Sequence, residues 1–395
     1  MTPAARLSAA IEVLDRYFDG MPLEKALTNW ARRSRFAGSK DRAAIRDIVF
    51  DCVRNKNSFA AKAGSVTGRG LVLAWAWQAF GPEQAQSLCD GQGHAPAPHT
   101  PTELLQLNES GDTPADAESY DLPDWLIEPF REAFGPDAQS VAQTMRSRAP
   151  VFLRVNLRKT DRKSAVDLLA QDGIKTRALS NVSTALEVIE NPRRVAASNA
   201  YKKGLVELQD AAPQAACLAL PAAEKFLDYC AGGGGKTLAY GALHEAELYA
   251  YDANPERFKD LPDRASRASL DVKVLTAKKT SSHAPFDLVV ADVPCSGSGT
   301  WRRAPEGKWA LSPARLAELQ RTQSEILDAA SDLIGAAGCL AYMTCSVLKS
   351  ENEDQVRAFL TRHSEFECLS KARFIPGPYG DGFYFAHLTK RQERT

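Results

Sequence analysis

The sequence has eight cysteines but no C-x-x-C pair. Without such a pair, neither a structural zinc site nor a thioredoxin-like motif is expected. The six histidines show no metal-ligand spacing either, so we predict no metal site. A chain of this kind is expected to be cytoplasmic, with reduced thiols. Five cysteines are expected to be small buried hydrophobic residues: Cys52, Cys89, Cys217, Cys339 and Cys368.

A net charge of either sign is also lacking, because 49 lysines and arginines balance 49 aspartates and glutamates. No global field therefore draws the protein to nucleic acid or to a membrane surface. No apolar run reaches the roughly 18 residues of a membrane-spanning helix, so no membrane association is expected. Charged residues interrupt the N-terminal stretch at Arg6, Glu12, Asp15 and Arg16, which argues against a signal peptide.

Helical periodicity dominates the first part of the chain. Apolar residues recur three or four positions apart, beginning with Leu7 and Ile11, as in amphipathic helices. The total length of 395 residues suits two or three domains. We predict an all-α domain over residues 1–148. It contains an acidic stretch, 100–124, with seven acids and no lysine or arginine, which is typical of a linker.

One basic stretch stands out in this helical region. The segment from Trp30 to Asn57 has eight lysines and arginines against three acids, and it includes the aromatic residue Phe36. A basic helical patch with aromatic residues suits binding to an RNA backbone. A solvated helix face is the alternative interpretation.

Strands appear after residue 148. The alternating sequence V-F-L-R-V-N-L-R over 151–158 predicts a strand, and we expect a small α+β subdomain over 149–222. From 223 to 395, strands alternate with helices, which predicts an α/β domain with a doubly wound parallel sheet. Its five strands are expected in these segments: 226–230, 248–252, 271–275, 286–292 and 339–346. Gly335 and Gly338 are expected to end the helix before the fifth strand.

A glycine loop follows the first strand of this last domain. Its spacing fits neither a phosphate loop, since Cys230 takes the place of the first glycine, nor the dinucleotide pattern. A ligand can still approach backbone N–H groups there. Asp252 ends the second strand, where an acid binds both ribose hydroxyls, although it could instead cap a helix. A glycine loop with this acid indicates a nucleoside ligand such as S-adenosylmethionine.

Two thiols follow neighbouring strands of the predicted sheet. Cys295 comes after the fourth strand and Cys345 ends the fifth, so both should reach one cleft at the carboxyl edge of the sheet. A thiolate that adds to C6 of cytosine makes C5 nucleophilic toward an electrophilic methyl group, and a base then removes the C5 proton. Positive charge, as on Lys236, would favour the thiolate. Asp292 could hydrogen-bond to N3 and the exocyclic amine.

These motifs resemble those of the RsmB/Sun (Nop/NSun) family of RNA cytosine-5 methyltransferases over residues 150–389. The similar segments, in chain order, are R-V-N (154–156), D-Y-C-A-G-G-G-G-K-T (228–237), D-V-P-C-S-G-S-G-T-W-R-R (292–303), T-C-S (344–346), E-N-E (351–353) and D-G-F-Y-F-A (381–386). The N-terminal helices resemble the NusB-like RNA-binding domain of bacterial 16S rRNA members. The resemblance implies a Rossmann-like class I methyltransferase domain, preceded by a small RNA-binding subdomain.

The resemblance also implies roles for individual residues. Cys345 would be the nucleophile on C6, Cys295 would assist product release, and Asp292 would hold the base. DNA cytosine methyltransferases use the Pro-Cys thiol instead. The residues expected to bind S-adenosylmethionine are Cys230, Ala231, Gly232, Gly233, Gly234, Gly235, Lys236, Asp252, Arg257 and Asp292. Arg302 and Arg303 are expected to contact phosphate, and Trp301 and Trp309 to stack on bases or to pack.

The expected substrate is 16S rRNA, methylated by a monomer that binds neither DNA nor membranes. A tRNA substrate is one alternative, and a non-catalytic RNA-binding assembly factor is another. Two departures from the family pattern bear on cofactor binding. Gly232-Gly233 replaces the usual Ala-Pro, and Lys278-Lys279 follows the third strand where an acid is usual. Two extra glycines increase the entropy that the loop loses on ordering.

Overall fold

A computed structural model describes residues 1–109 and 119–391. The chain forms two compact units. One contains Met1–Arg148 and the short segment Trp301–Ala310, and the other contains Ala149–Thr300 and Leu311–Thr395. Among the described residues, no helix has the length and apolar character needed to cross a membrane.

The first unit is helical, as its periodicity predicted. Its helices are Pro3–Phe18, Leu23–Arg33, Ser39–Arg54, Lys56–Ala63, Gly68–Phe80, Pro82–Ser87, Pro101–Asn108, Asp124–Phe134, Ala138–Met145 and Glu306–Ala310. Leu7 and Leu14, two turns apart on the first helix, are buried in its core with Trp30 from the second. Burial of this shared apolar face, rather than helix propensity, holds such short helices together.

The prediction of a linker over 100–124 is wrong where the structure describes that range. Thr100 caps the helix Pro101–Asn108, and the side chain of Glu103 returns a hydrogen bond to the Thr100 backbone. Such a capping box satisfies two N–H groups that would otherwise lack partners. Acids in this range therefore begin a helix instead of solvating a flexible connection. Residues 110–118 lie outside the described residues.

Asp121 gives a second reason for this correction. It is fully buried, and its carboxylate accepts hydrogen bonds from the backbone amides of Asn57 at 2.9 Å and Ser58 at 3.0 Å. Arg146 forms an ion pair with it at 2.8 Å. An acid with these partners is a buried structural residue of the helical unit, not part of an exposed linker.

The second unit contains a small four-stranded antiparallel sheet with the order β2-β3-β1-β4. Its strands are β1 Val151–Val155, β2 Lys175–Ala178, β3 Ala185–Glu190 and β4 Val206–Leu208. The α-helices beside it are Arg162–Gln171, Asn199–Lys202 and Ala211–Leu218. The alternating residues of β1 thus form a strand as predicted, and its apolar side chains Leu153 and Val155 are buried with Leu169.

The larger sheet has seven strands in the order β10-β11-β9-β8-β5-β6-β7. These are β5 Lys225–Asp228, β6 Glu247–Ala250, β7 Val272–Val274, β8 Phe286–Asp292, β9 Ile334–Thr344, β10 Phe366–Phe374 and β11 Phe383–Lys390. The helices of this part are Gly235–Gly241, Leu261–Ala268, Ala277–His283, Pro313–Ser331 and Glu353–Arg362. Strands β5 to β9 pair in parallel, which confirms the doubly wound architecture.

Two details of this sheet differ from the sequence prediction. Strands β10 and β11 form an antiparallel hairpin that adds to β9, so the sheet is mixed rather than wholly parallel. The helix before β9 ends at Ser331, and Gly335 and Gly338 lie inside the strand instead of before it. Pairing of Phe286 with Ile334 draws this glycine-containing segment into the sheet.

Candidate active site

The glycine loop is closed by the residue at the end of β5. Asp228 is buried, and one carboxylate oxygen accepts hydrogen bonds from the Thr237 amide at 3.1 Å and its hydroxyl at 2.8 Å. The other oxygen, Oδ1, is buried without a hydrogen-bond partner among the described residues. Burial raises the pKa of Asp228 to about 6. Both ends of the loop are therefore tied to one carboxylate.

Two glycines give the loop its shape. Gly232 has φ +49° and Gly234 has φ +78°, both in the left-handed region that side chains disfavour. A Cβ at Gly234 would also lie 2.2 Å from Cδ1 of the buried Leu261. The loop therefore presents backbone without side chains of its own at these positions, as close approach of a nucleoside-type cofactor requires.

Asp252 connects this loop to the segment after β6. One of its carboxylate oxygens accepts the Gly232 amide at 2.9 Å, and Arg257 forms an ion pair with the same oxygen at 2.9 Å. The other oxygen accepts the Asn254 amide at 2.9 Å. Asn254, not Asp252, caps the following turn Pro255–Phe258, so the helix-cap interpretation of Asp252 is wrong. The structure thus brings Asp252 and Arg257 to the glycine loop.

Lys236 and Asp292 form a close ion pair between the loop and the end of β8. Burial acts to lower the pKa of Lys236, but the charge of Asp292 and its hydrogen bond outweigh burial, so the pKa is raised. Lys236 Nζ also lies 5.3 Å from the ring centroid of Phe383. Lys236 is therefore a permanent cation that orients the Asp292 carboxylate.

The two thiols meet at the carboxyl edge of the sheet, as their positions after neighbouring strands predicted. Their Sγ atoms are 3.3 Å apart. The hydrogen bond to Cys345 and burial raise the pKa of Cys295 well above its usual value. Cys295 therefore stays a neutral thiol at neutral pH. Cys345 is half-buried, so solvent reaches this residue.

Glu351 connects the two thiol-bearing loops through buried hydrogen bonds. It is fully buried and accepts hydrogen bonds from the Ser296 amide at 2.8 Å and from the hydroxyls of Ser296 and Ser346. Gln323, on the helix Pro313–Ser331, donates a further bond at 3.0 Å. The signal for Gln323 was a polar residue on the apolar face of that helix, and the sequence motifs did not include it.

Asn352 completes this support. Its side-chain oxygen accepts the Thr344 hydroxyl at 2.6 Å, and its amide donates to the Ser346 carbonyl at 3.0 Å. The backbone on both sides of Cys345 is therefore fixed by one buried amide. Since unsatisfied polar groups are costly in such a setting, this network specifies a single loop conformation.

The D-G-F-Y-F-A segment contributes through its backbone. The Gly299 amide donates to the Cys345 carbonyl at 2.9 Å, and the Gly382 amide donates to the Gly299 carbonyl at 3.0 Å. A Cβ at Gly299 would lie 2.3 Å from the Gly382 carbonyl oxygen. These glycines permit a close approach between the loop after Cys295 and the residues that precede β11.

The R-V-N segment connects the small sheet to the rest of the second unit. Arg154 is buried and donates to the Gln209 side chain at 2.8 Å and to the Gly235 carbonyl at 3.0 Å. Burial lowers its pKa to about 10. Asn156 is buried too, and its amide donates to the carbonyls of Gly204 at 3.2 Å and Ala268 at 3.1 Å. Arg154 therefore attaches the small sheet to the glycine loop, and RNA binding by the small subdomain stays a prediction.

The residues after the catalytic loop also differ from expectation. Trp301 and Arg302 are each only 2% exposed, and the Arg302 carbonyl accepts a bond from Arg54 at 2.7 Å. The expected phosphate contact of Arg302 is therefore wrong. Trp309 donates to the Val53 carbonyl at 2.8 Å, which supports the packing interpretation. All of these contacts lie within the helical unit.

The basic stretch of the helical unit is partly neutralised by its own neighbours. Arg33 pairs with Glu12 at 3.1 Å, and Arg46 pairs with Glu24. Phe36 is 76% exposed, whereas Trp30 is buried in the core. The basic side chains of this stretch are therefore only partly available to bind an RNA backbone.

Two family models match the chain. A model described as "16S rRNA methyltransferase RsmB/F" matches residues 215–389, and a model for the ferredoxin-like domain of RsmF/B-like methyltransferases matches residues 122–196. Ribosomal RNA small subunit methyltransferase B of Escherichia coli strain 536 is 34% identical over 291 residues, which are 69% of this chain and 67% of the relative. The chain belongs to the RsmB/F family. It is an RNA methyltransferase that uses S-adenosylmethionine.

Solved structures of the RsmB/F-like fold agree with the architecture. The protein PH0851 gives a TM-score of 0.76 at 23% identity and covers 99% of both chains. NSun6 from Pyrococcus horikoshii gives a TM-score of 0.60 at 17% identity, over 69% of this chain and 99% of its own. Both comparisons support the Rossmann-like fold class, and the PH0851 comparison, which spans nearly the whole chain, also includes the helical N-terminal region.

Proposed function

We propose that this RsmB/F-family enzyme methylates C5 of a cytosine in 16S rRNA through a covalent bond between Cys345 and C6. The observation that carries the proposal is the 3.3 Å approach of the Cys295 and Cys345 thiols. A methyltransferase that alkylates an exposed nitrogen or oxygen needs no thiol. Cytosine C5 becomes nucleophilic only after a nucleophile adds to C6.

Cys345 is the attacking thiol in this proposal. Its thiolate, formed when the thiol proton passes to solvent, bonds to C6. The electrons of the C5–C6 double bond move to C5, and C5 then takes the methyl group. The cofactor supplies this methyl group from its sulfonium centre. The assignment of the attack to Cys345 rests on the family motif T-C-S, and the neighbouring Cys295, whose pKa is raised by its hydrogen bond to Cys345 and by burial, serves as a neutral thiol. Loss of the C5 proton to a base then expels the Cys345 thiolate and restores the aromatic ring, a step that Cys295 assists.

Asp292 positions the cytosine by accepting a hydrogen bond from the exocyclic amine. Uracil has a carbonyl oxygen at that place, which an ionised carboxylate repels. Lys236 holds Asp292 in one orientation through their ion pair. The pair therefore favours cytosine over uracil.

Residues of the glycine loop and its partners bind the cofactor in this proposal. Asp252, already fixed by the Gly232 amide, accepts bonds from ribose hydroxyls. The full proposed set is Cys230, Ala231, Gly232, Gly233, Gly234, Gly235, Lys236, Asp252, Arg257 and Asp292. The left-handed backbone of Gly232 and Gly234 supports this assignment.

The substrate assignment is supported by the name of the E. coli relative, a small-subunit ribosomal RNA methyltransferase. We further propose that the helical unit helps to bind this RNA, and that the enzyme acts as a cytoplasmic monomer. Phe36 and the unpaired part of the basic stretch are the surface offered for that contact.

Substitution of each thiol tests the covalent mechanism. Cys345→Ala should abolish methyl transfer and leave no covalent adduct with RNA, because no bond to C6 forms. Cys295→Ala should accumulate a covalent protein–RNA complex, because addition proceeds and release stalls. The measurement is denaturing gel electrophoresis of labelled 16S rRNA incubated with each variant and S-adenosylmethionine. An adduct with Cys345→Ala and none with Cys295→Ala would assign the attack to Cys295.

A further inference from the structure

Arg264 occupies the space beside Gly233, a position in the glycine loop where the chain has no side chain of its own. A Cβ built on Gly233 would lie 2.8 Å from Arg264 Nη1. The same nitrogen donates to the Gly233 carbonyl. The guanidinium thus both fills the volume that a side chain at residue 233 would take and binds the backbone that such a side chain would restrain.

The Arg264 guanidinium is itself fixed. Its other terminal nitrogen donates to Glu207 at 3.1 Å, and the Glu207 side chain is 4% exposed, whereas the Arg264 side chain is 23% exposed. Arg267, one turn further along the same helix, pairs with the other oxygen of Glu207. A buried carboxylate with two arginine partners is a rigid anchor, since each bond is charge-assisted.

Glu207 lies on β4 of the small sheet, so the anchor comes from outside the methyltransferase sheet. The same sheet reaches the loop at a second point, where Arg154 of β1 and Gln209 both donate to the Gly235 carbonyl, at 3.0 Å and 3.2 Å. Two carbonyls of one glycine loop are therefore held by side chains that the small sheet supplies or anchors.

We propose that Arg264 is a positioning residue that restrains the glycine loop of this enzyme in its cofactor-binding shape, with Glu207 as its anchor. The inference rests on the cofactor site proposed above. Consecutive glycines lose more conformational freedom on ordering than other residues. A loop already held at the Gly233 carbonyl has less of this entropy left to lose when the cofactor binds.

A double-substitution cycle tests the proposal with purified full-length protein. Arg264→Ala should raise the Kd for S-adenosylmethionine about tenfold in isothermal titration calorimetry, because the loop loses its restraint. Gly233→Pro should give no gain in the wild-type background, because its ring takes the place of the guanidinium. In the Arg264→Ala background the same proline should restore the Kd to within about threefold of wild type, because it rigidifies the loop from within.

Arg267→Ala is the matched control, since Arg267 shares the Glu207 anchor but its guanidinium binds Glu207 rather than a carbonyl of the loop. Its Kd should stay within about twofold of wild type. Arg264→Lys should recover part of the affinity because it keeps the charge. Hydrogen exchange of the cofactor-free protein gives a second readout: amides of 231–236 should exchange faster in Arg264→Ala and return toward wild-type rates with the proline.

An unchanged Kd in Arg264→Ala, or effects of the two substitutions that multiply without any recovery, would overturn the positioning role. The cofactor site itself has a separate test in the same experiments. S-adenosylmethionine should protect the 231–236 amides of the wild-type protein from exchange, and absence of this protection would remove the site and the inference together.

Discussion

Asp228 is the residue through which solution pH acts most directly on the cofactor loop. Burial raises its pKa in the folded protein to about 6, whereas an aspartate in an unfolded chain has a pKa of about 3.9. The folded state therefore holds the proton more tightly than the unfolded state. The stabilisation linked to that proton is complete below pH ~4 and is lost as the pH rises through ~6.

Asp228→Asn should remove this pH dependence. Asparagine keeps an oxygen for the two bonds from Thr237 but does not titrate. Between pH ~4 and ~7, the free energy of unfolding should fall by about 2 kcal/mol more in the wild type than in the variant, because the unfolded chain is already half ionised at this position at pH ~4. Urea unfolding of both proteins across this range measures the difference. Parallel stability curves would show that Asp228 does not carry this linkage.

The sequence could predict single residues only where chain position alone decides their location. Cys295 and Cys345 were expected to meet because parallel neighbouring strands end at the same edge, and they lie 3.3 Å apart. Arg264 and Gln323 were not foreseen, because their importance comes from carbonyls and carboxylates distant in sequence. Arg302 looked exposed beside a catalytic loop but is buried by packing that no local pattern reveals.

At the scale of structural elements, the two thiol loops are joined by the buried Glu351. It is an acceptor for Ser296, Ser346 and Gln323, which belong to three different segments of the chain. Removing one acceptor in such a network leaves buried donors without partners, at a cost of about 1–3 kcal/mol.

Glu351→Gln should therefore lower the free energy of unfolding by about 2 kcal/mol. It should also lower kcat about tenfold while the Kd for S-adenosylmethionine stays unchanged, because the Glu351 carboxylate binds the thiol loops and Gln323 rather than the glycine loop. Steady-state kinetics and calorimetry measure these quantities. Glu318→Gln is the control, since Glu318 is exposed and pairs with the nearby Arg315. A tenfold weaker Kd with unchanged kcat would contradict this division of roles.

Helices and strands were predictable from the sequence where a single repeating pattern of apolar residues determined them. The strand over 286–292 has the predicted bounds because its apolar run is buried on both faces. The glycines at 335 and 338 suggested a helix end, but tertiary pairing with β8 extended β9 through them. The acidic stretch suggested a linker, since composition does not show that Asp121 has buried partners.

At the scale of the whole molecule, the chain divides its tasks between two compact units. All of the proposed catalytic and cofactor-binding residues belong to the second unit, where the small sheet fixes the glycine loop. The helical unit includes the short segment 301–310, which directly follows the catalytic loop in the chain. Motifs in one domain were enough to predict the class of reaction. They do not indicate which RNA is the substrate, because selection of the RNA depends on the complete enzyme.

The central proposal is that this enzyme methylates a cytosine of 16S rRNA. Bisulfite sequencing of total RNA from a strain that lacks the gene, against its parent, tests this most directly, because C5 methylation protects cytosine from conversion. A single 16S cytosine should lose protection, and plasmid-borne wild type should restore it whereas Cys345→Ala should not. Loss of a tRNA site would contradict the substrate assignment, and no lost site in any RNA would contradict the activity.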